Sequence, residues 1–218
     1  MQVNLARRGA SLYAGPMALT SIQLIDYAGV AFLAASGALA AAERREDAVT
    51  FIFFGCFTGM GGGTLRDLLI GAPVFWVTRP DYLVVSVVAS LGVWVWPTRW
   101  TPHAALLWLD AVGLAAYATV GTSKAFGFGL SPPVCVAMGV ITACFGGILR
   151  DTLAGQPSVL LQRRIYVTAA IAAASLDTLL LMAGLGIMGA AVIGGVVGFV
   201  LRAGTLLWDW RLPRFKPD

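Results

Sequence analysis

Two arginine–aspartate doublets, Arg66-Asp67 and Arg150-Asp151, stand inside apolar stretches of this chain, and each follows a run of glycine: "GMGGGTLRD" and "CFGGILRD". The chemistry open to such groups is electrostatic. A charge at membrane depth is costly unless it is paired, faces a cavity or reaches the interface, so an ionisable residue in an apolar span marks a site by default. Glycine in a helix costs roughly 1 kcal/mol relative to alanine, and a run of it invites a kink or an unwound turn. Unwound backbone at membrane depth is tolerated only against protein or a water-filled cavity, where its carbonyls can replace the water around a cation. Gly61, Gly62 and Gly63, with Gly146 and Gly147, are therefore expected to break their helices and line an ion path, flanked by Arg66, Asp67, Arg150 and Asp151. Structural readings compete. Gly55, Gly59 and Gly63, like Gly139, Ala143 and Gly147, recur at every fourth position, a face that lets helices touch in lipid. An arginine near a helix end can also snorkel to headgroups. Adjacent residues on a helix point apart, so each charge is expected to find its partner on another helix.

Further polar groups sit in apolar segments: Asp26 near the start of the first, Asp110 and Asp177 deeper, and Ser123 beside Lys124 in "GTSKAFGFG". Asp110, Ser123 and Lys124 join the candidate ion path, with Lys124 a gate, a contact for anionic lipid, or an interfacial anchor. The three cysteines have no metal-ligand spacing, and His103 is the only histidine. Small packed thiols are the simplest account of them. With no nucleophile–base set and no metal constellation, the sequence reads as a non-enzyme without a cofactor.

The elements that must position these groups are membrane helices. The chain is 58% hydrophobic and 12% charged, with a mean hydropathy of +0.81. Soluble domains average about 45–50% apolar and about 25% charged. The net charge of +4 is spread over loops and helix ends, where lipid headgroups account for it without a nucleic-acid partner.

The chain also repeats itself. Laying 55–73 on 139–157 without gaps gives ten identities in nineteen positions: Gly55, Thr58, Gly62, Gly63, Leu65, Arg66, Asp67, Leu69, Gly71 and Pro73 recur at 139, 142, 146, 147, 149, 150, 151, 153, 155 and 157. The same offset pairs Asp26 with Asp110, Gly29 with Gly113, Arg79 with Arg163 and Tyr82 with Tyr166. The chain thus reads as an N-terminal extension (1–21), a first three-helix repeat (22–98), a second (104–183), a seventh helix (184–208) and a basic tail (209–218). A span takes about 20 apolar residues, which places the helices near 22–42, 49–70, 81–97, 104–123, 133–154, 165–183 and 186–208. An odd number of spans per unit makes the second copy inverted, the architecture of many transporters and some channels. The small residues of the seventh span, with those of the first and fourth, also offer a subunit contact.

Orientation follows the basic residues of short loops. Arg7, Arg8, Arg79 and Lys124 fall on one side, against Arg44, Arg45, Arg99, Arg163, Arg164, Arg211, Arg214 and Lys216 on the other. The richer side is cytoplasmic, which puts the N-terminus outside and the C-terminus in the cytoplasm.

The doubled glycine–Arg-Asp motif, set in two three-span units followed by a seventh span, resembles the prokaryotic members of the trimeric intracellular cation (TRIC) channel family over about residues 20–208. The resemblance implies a homotrimer in which each subunit carries its own potassium-permeable pore, bounded by glycine-broken second and fifth helices. Carried over, the pore positions are Gly61, Gly62, Gly63, Gly146 and Gly147, with Arg66, Asp67, Arg150 and Asp151 beside them. One departure stands out: the position of Gly61 is taken by Phe145 in the second copy, so Phe145 either narrows the path or faces lipid. Sequences of this kind also carry the label of glycine transporters, which keeps secondary transport of a small amino acid as the alternative.

Overall fold

The computed structural model describes residues 21–96, 102–158 and 165–210. The N-terminal extension to residue 20, the tail from 211, and the loop arginines Arg99, Arg163 and Arg164 lie outside the described residues, as do Arg7, Arg8, Arg211, Arg214 and Lys216. The described residues form α-helices only: α1 (Ser21–Glu43), α2 (Ala48–Leu69), α3 (Asp81–Val95), α4 (Pro102–Gly127), α5 (Pro132–Leu153), α6 (Val167–Met182) and α7 (Ile187–Trp208), with a single turn at Phe75–Thr78 before α3. Five of them, α1, α2, α4, α5 and α7, are long and apolar enough to cross a membrane, and α3 and α6 are shorter apolar helices. Leu24, Phe53, Phe57, Val88, Leu179 and Val196 are among the large apolar side chains that face outward, as expected where the surrounding solvent is lipid.

The helix ends follow from local sequence. Asp47 caps α2 by accepting the Thr50 N–H at 2.8 Å, while α5 opens on Pro132 and Pro133, whose missing N–H groups are not needed in a first turn. Both α2 and α5 stop on a left-handed glycine, Gly71 (φ 67°) and Gly155 (φ 60°). In each case the glycine N–H and the next one turn back to the last carbonyls: Gly71 to Leu68 and Ala72 to Asp67, Gly155 to Thr152 and Gln156 to Asp151. This is a Schellman stop, and it explains why Gly71 and Gly155 are among the identities of the repeat.

The expected breaks at the glycine runs are absent. α2 continues through Gly61, Gly62 and Gly63 and α5 through Gly146 and Gly147, both as uninterrupted α-helices. The glycines serve close approach instead. A Cβ on Gly62 would lie 2.1 Å from the Thr142 carbonyl oxygen, and one on Gly146 would lie 2.2 Å from the Thr58 carbonyl oxygen. The propensity penalty is thus offset by backbone contact between helices, which lipid-embedded bundles exploit because apolar burial alone does not drive their association.

The contacts are reciprocal. Gly62–Thr142 and Thr58–Gly146 exchange under the repeat offset, as do Gly29–Tyr117 and Leu33–Gly113. In both pairs one index rises as the other falls, so α2 crosses α5, and α1 crosses α4, in antiparallel sense. Around these two central contacts α3 packs on α1 and α2, and α6 packs on α4 and α5 in the corresponding way. α7 packs on α4 and α6, and among the described residues it has no counterpart on the first half.

Candidate functional site

The doublets are brought into two buried clusters, one at each end of the α2–α5 crossing. The first gathers the last turns of α2 and α4 with the first turns of α1 and α3. The Asp67 carboxylate is its hub: it takes Arg66 Nε at 2.8 Å, Lys124 Nζ at 2.8 Å, and the Phe75 N–H at 3.0 Å. The Arg66 guanidinium also lies 5.8 Å from the Phe75 ring centroid. Asp26 accepts the Tyr82 hydroxyl at 3.0 Å, and the Tyr117 hydroxyl donates to the Gly59 carbonyl at 2.9 Å. Tyr27, stacked on Tyr82, bonds to Asp81 and to Arg79.

The second cluster gathers the end of α5, the start of α4, the middle of α1 and the residue before α6. Arg150 donates to Asp110 at 2.6 Å, to Asp151 at 2.9 Å and to the Ser36 hydroxyl at 3.3 Å. The Tyr166 ring lies beside it, with the Arg202 guanidinium 4.9 Å from the ring centroid. A Cβ on Gly147 would lie 2.6 Å from the Tyr166 hydroxyl and 3.4 Å from Asp110 Oδ1, so Gly147 keeps this corner open for both. Arg66 and Arg150 both sit in the last turn of their helices, where a cation also favours the negative end of the helix dipole.

Several expectations change here. Arg66 and Arg150 are each only 1% exposed, so neither snorkels to headgroups. The adjacent residues of each doublet do bond to one another. Arginine is long enough to fold its guanidinium back along the helix, although short side chains at neighbouring positions point apart. Partners from other helices are present as well. Lys124 is buried against Asp67 rather than anchored at an interface. Ser123, its neighbour, turns the other way and donates to Asp177 at 3.1 Å. Asp26, near the start of its helix, is buried against Tyr82. Phe145 is half-buried beside Gly61: these two positions match under the offset and meet at the crossing, where a Cβ on Gly61 would lie 2.5 Å from Leu149 Cδ1, so the glycine makes room for Leu149. The three cysteines are free, and no group of metal-ligating side chains occurs among the described residues.

Tyr82, Tyr117, Tyr166, Ser36 and Arg202 complete the clusters and are not among the site residues expected from sequence. The recurrence of Tyr82 at Tyr166 carried a signal for two of them, and Arg202 is the lone charge of the last apolar span. Ser36 and Tyr117 carried none.

The fold and its paired buried clusters define a multi-pass, all-helical membrane protein. A sequence-family model described as "Glycine transporter" matches twice, at residues 23–98 and 107–182, once on each copy of the repeat. The chain is similar to the UPF0126 inner membrane protein YadS of Escherichia coli, at 38% identity over 89% of this chain and 96% of that protein. In structure it is similar to the TRIC trimeric intracellular cation channel orthologue from Rhodobacter sphaeroides, with 39% identity, a TM-score of 0.80, and coverage of 87% of this chain and 98% of that one. A second TRIC cation channel structure matches with a TM-score of 0.80 at 28% identity, covering 91% of this chain and 99% of that one. The chain belongs to the prokaryotic TRIC channel family and, through the same residues, to the family described as "Glycine transporter".

Proposed function

We propose that the protein is a cation channel of the inner membrane, permeable to potassium and other monovalent cations, with an ion path inside each subunit of a homotrimer. The observation that carries this reading is the match of nearly the whole helical body, at 39% identity, to a trimeric intracellular cation channel. The seven described helices longer than one turn are then seven spans, arranged as two inverted three-helix repeats plus α7. The reciprocal antiparallel contacts of α1 with α4 and α2 with α5 support that arrangement, as does the double match of the family model. The N-terminus lies outside and the C-terminus in the cytoplasm.

The ion path runs beside the α2–α5 crossing. Gly61, Gly62, Gly63, Phe145, Gly146 and Gly147 border it at the crossing, with Arg66, Asp67, Ser123 and Lys124 toward one end and Arg150, Asp151 and Asp110 toward the other. Because the two helices touch backbone to glycine at Gly62 and Gly146, conduction requires the crossing to part. The trimer is supported by an open apolar groove of about 390 Å³ lined by Ile25, Ala115, Ala116, Thr119, Ala191 and Gly195, from α1, α4 and α7. Membrane lipid fills what the neighbouring subunits leave uncovered.

Recording the purified protein in planar bilayers tests the reading. Discrete unitary currents carried by K⁺ down its gradient are expected, and Asp67→Asn and Asp151→Asn should shift the reversal potential in a KCl gradient toward lower cation preference. Saturable glycine uptake into vesicles without unitary steps would replace the channel by a secondary transporter.

A further inference from the structure

Asp177 belongs to neither cluster. It lies in the second half of α6 with 0% exposure, between α4 on one side and α7 on the other. One carboxylate oxygen accepts the Ser123 hydroxyl at 3.1 Å. The other, Oδ1, has no hydrogen-bond partner among the described residues. α7 closes over it at a glycine: a Cβ on Gly194 would lie 2.9 Å from the Ala173 carbonyl oxygen, 3.1 Å from Thr119 Cγ2 and 3.2 Å from Asp177 Cβ. The α7 backbone therefore packs on the base of the Asp177 side chain at Gly194, and Thr119 beside it also lines the apolar groove.

The charged and titratable groups on the packed helices are committed elsewhere. On α4, the Lys124 ammonium is bonded to Asp67 and Asp110 is bonded to Arg150. On α5, the Cys135 thiol faces the Asp177 end of the bundle, while Arg150 and Asp151 sit at the opposite end. On α7, the Arg202 guanidinium is stacked at Tyr166, the N-cap of α6, and Asp177 lies roughly three helical turns further along α6. Among the described residues no arginine, lysine or histidine is placed to neutralise Asp177. A bare carboxylate without a counter-charge is not stable in such a setting; it takes up a proton, binds a cation or is exposed to water. Bulk water is excluded by the 0% exposure. A metal cation needs several oxygen donors, and among the described residues one serine hydroxyl is the only side-chain oxygen bonded to it.

We propose that Asp177 is a proton-binding site that carries its proton when α4, α6 and α7 are packed as seen here, and that loss of the proton to water loosens α7 from the other two. The neutral acid adds no uncompensated charge beneath the glycine face of α7, and its second oxygen acts as a dipole rather than an ion. The inference does not rest on the channel reading, because it concerns the packing of α7.

Infrared difference spectra of the purified full chain, wild type against Asp177→Asn at neutral pH, test it directly. The wild type should show a carboxylic C=O band that shifts on deuteration and is missing from Asp177→Asn. Ser123→Ala, a milder change, should move that band without abolishing it. Thermal stability of the wild type should fall as pH is raised from mildly acidic through neutral, since only the packed state holds the proton there, and Asp177→Asn should remove that dependence. Superimposable spectra in the carboxylic region would overturn the proposal. So would a carboxylate band that responds to exchange of K⁺ for Na⁺, which would make this a monovalent-cation site.

Discussion

The two charged clusters are built from the same duplicated residues but are wired differently. In each, the repeat supplies two carboxylates and one arginine: Asp26, Asp67 and Arg66 in one, Asp110, Asp151 and Arg150 in the other. In the second cluster Arg150 reaches across to Asp110. In the first, the equivalent Asp26 is held by the Tyr82 hydroxyl, whereas the Tyr166 hydroxyl, its counterpart, has no hydrogen-bond partner among the described residues. A cation from outside the matched set stands at each cluster. Lys124 enters the first cluster from α4, where the repeat-equivalent residue is Ala40. Arg202 stands at Tyr166 from α7, which the repeat does not include. The positions matched by the offset therefore hold the acids and the arginines, while the added cations come from positions that the offset does not match. Buried charge tolerates that drift in wiring but not a net imbalance.

The largest expected effect tests whether this asymmetry is energetic. Arg150→Ala leaves Asp110 and Asp151 without the guanidinium that serves both, and removing one partner of a buried pair costs about 3–5 kcal/mol. Arg66→Ala leaves Asp67 still bonded to Lys124 and should cost clearly less. Thermal unfolding of the two variants in the same detergent would measure the difference, and equal losses would break the comparison.

The glycine contacts should behave in the opposite way, as a matched pair. Gly62→Ala and Gly146→Ala each push a methyl group into a backbone carbonyl that cannot swing aside, an overpacking that costs about 2 kcal/mol. Similar losses from both, with Gly92→Ala close to neutral because nothing lies within 4 Å of it, would confirm that the crossing is symmetric. A loss at only one of the two positions would show that the helices do not meet as described.

The tyrosines give the smallest and sharpest contrast. Tyr82→Phe removes a hydrogen bond to a buried carboxylate, worth about 1.5 kcal/mol, while Tyr166→Phe should leave stability unchanged within error. A comparable loss from Tyr166→Phe would mean that its hydroxyl also serves Asp110, and that the two clusters are more alike than their contacts indicate.

Much of this molecule was legible in the chain itself. Apolar pattern and length located the described helices longer than one turn, with ends displaced by only a few positions, because a lipid-facing span must satisfy its backbone internally and needs a set length to cross. The repeat offset named Asp26 and Asp110, and Tyr82 and Tyr166, as equivalents before any contact was known. Two things were not legible. A glycine run reads equally as a broken helix or as a flat contact face, since propensity sees only the chain's own backbone, and here Thr142 and Thr58 on the opposite helix chose the second. Pairing was equally hidden: Arg66 and Arg150 have the same neighbours in sequence, yet Arg150 is bonded to Asp110 and Ser36, and Asp67 beside Arg66 is bonded to Lys124.

Composition and the self-match of the sequence by themselves determined a membrane bundle of apolar helices carrying acids and arginines at matched places. Only the tertiary structure decided which acid holds which cation, and that the glycines join helices rather than part them, because both depend on distances of a few ångströms between segments far apart in the chain.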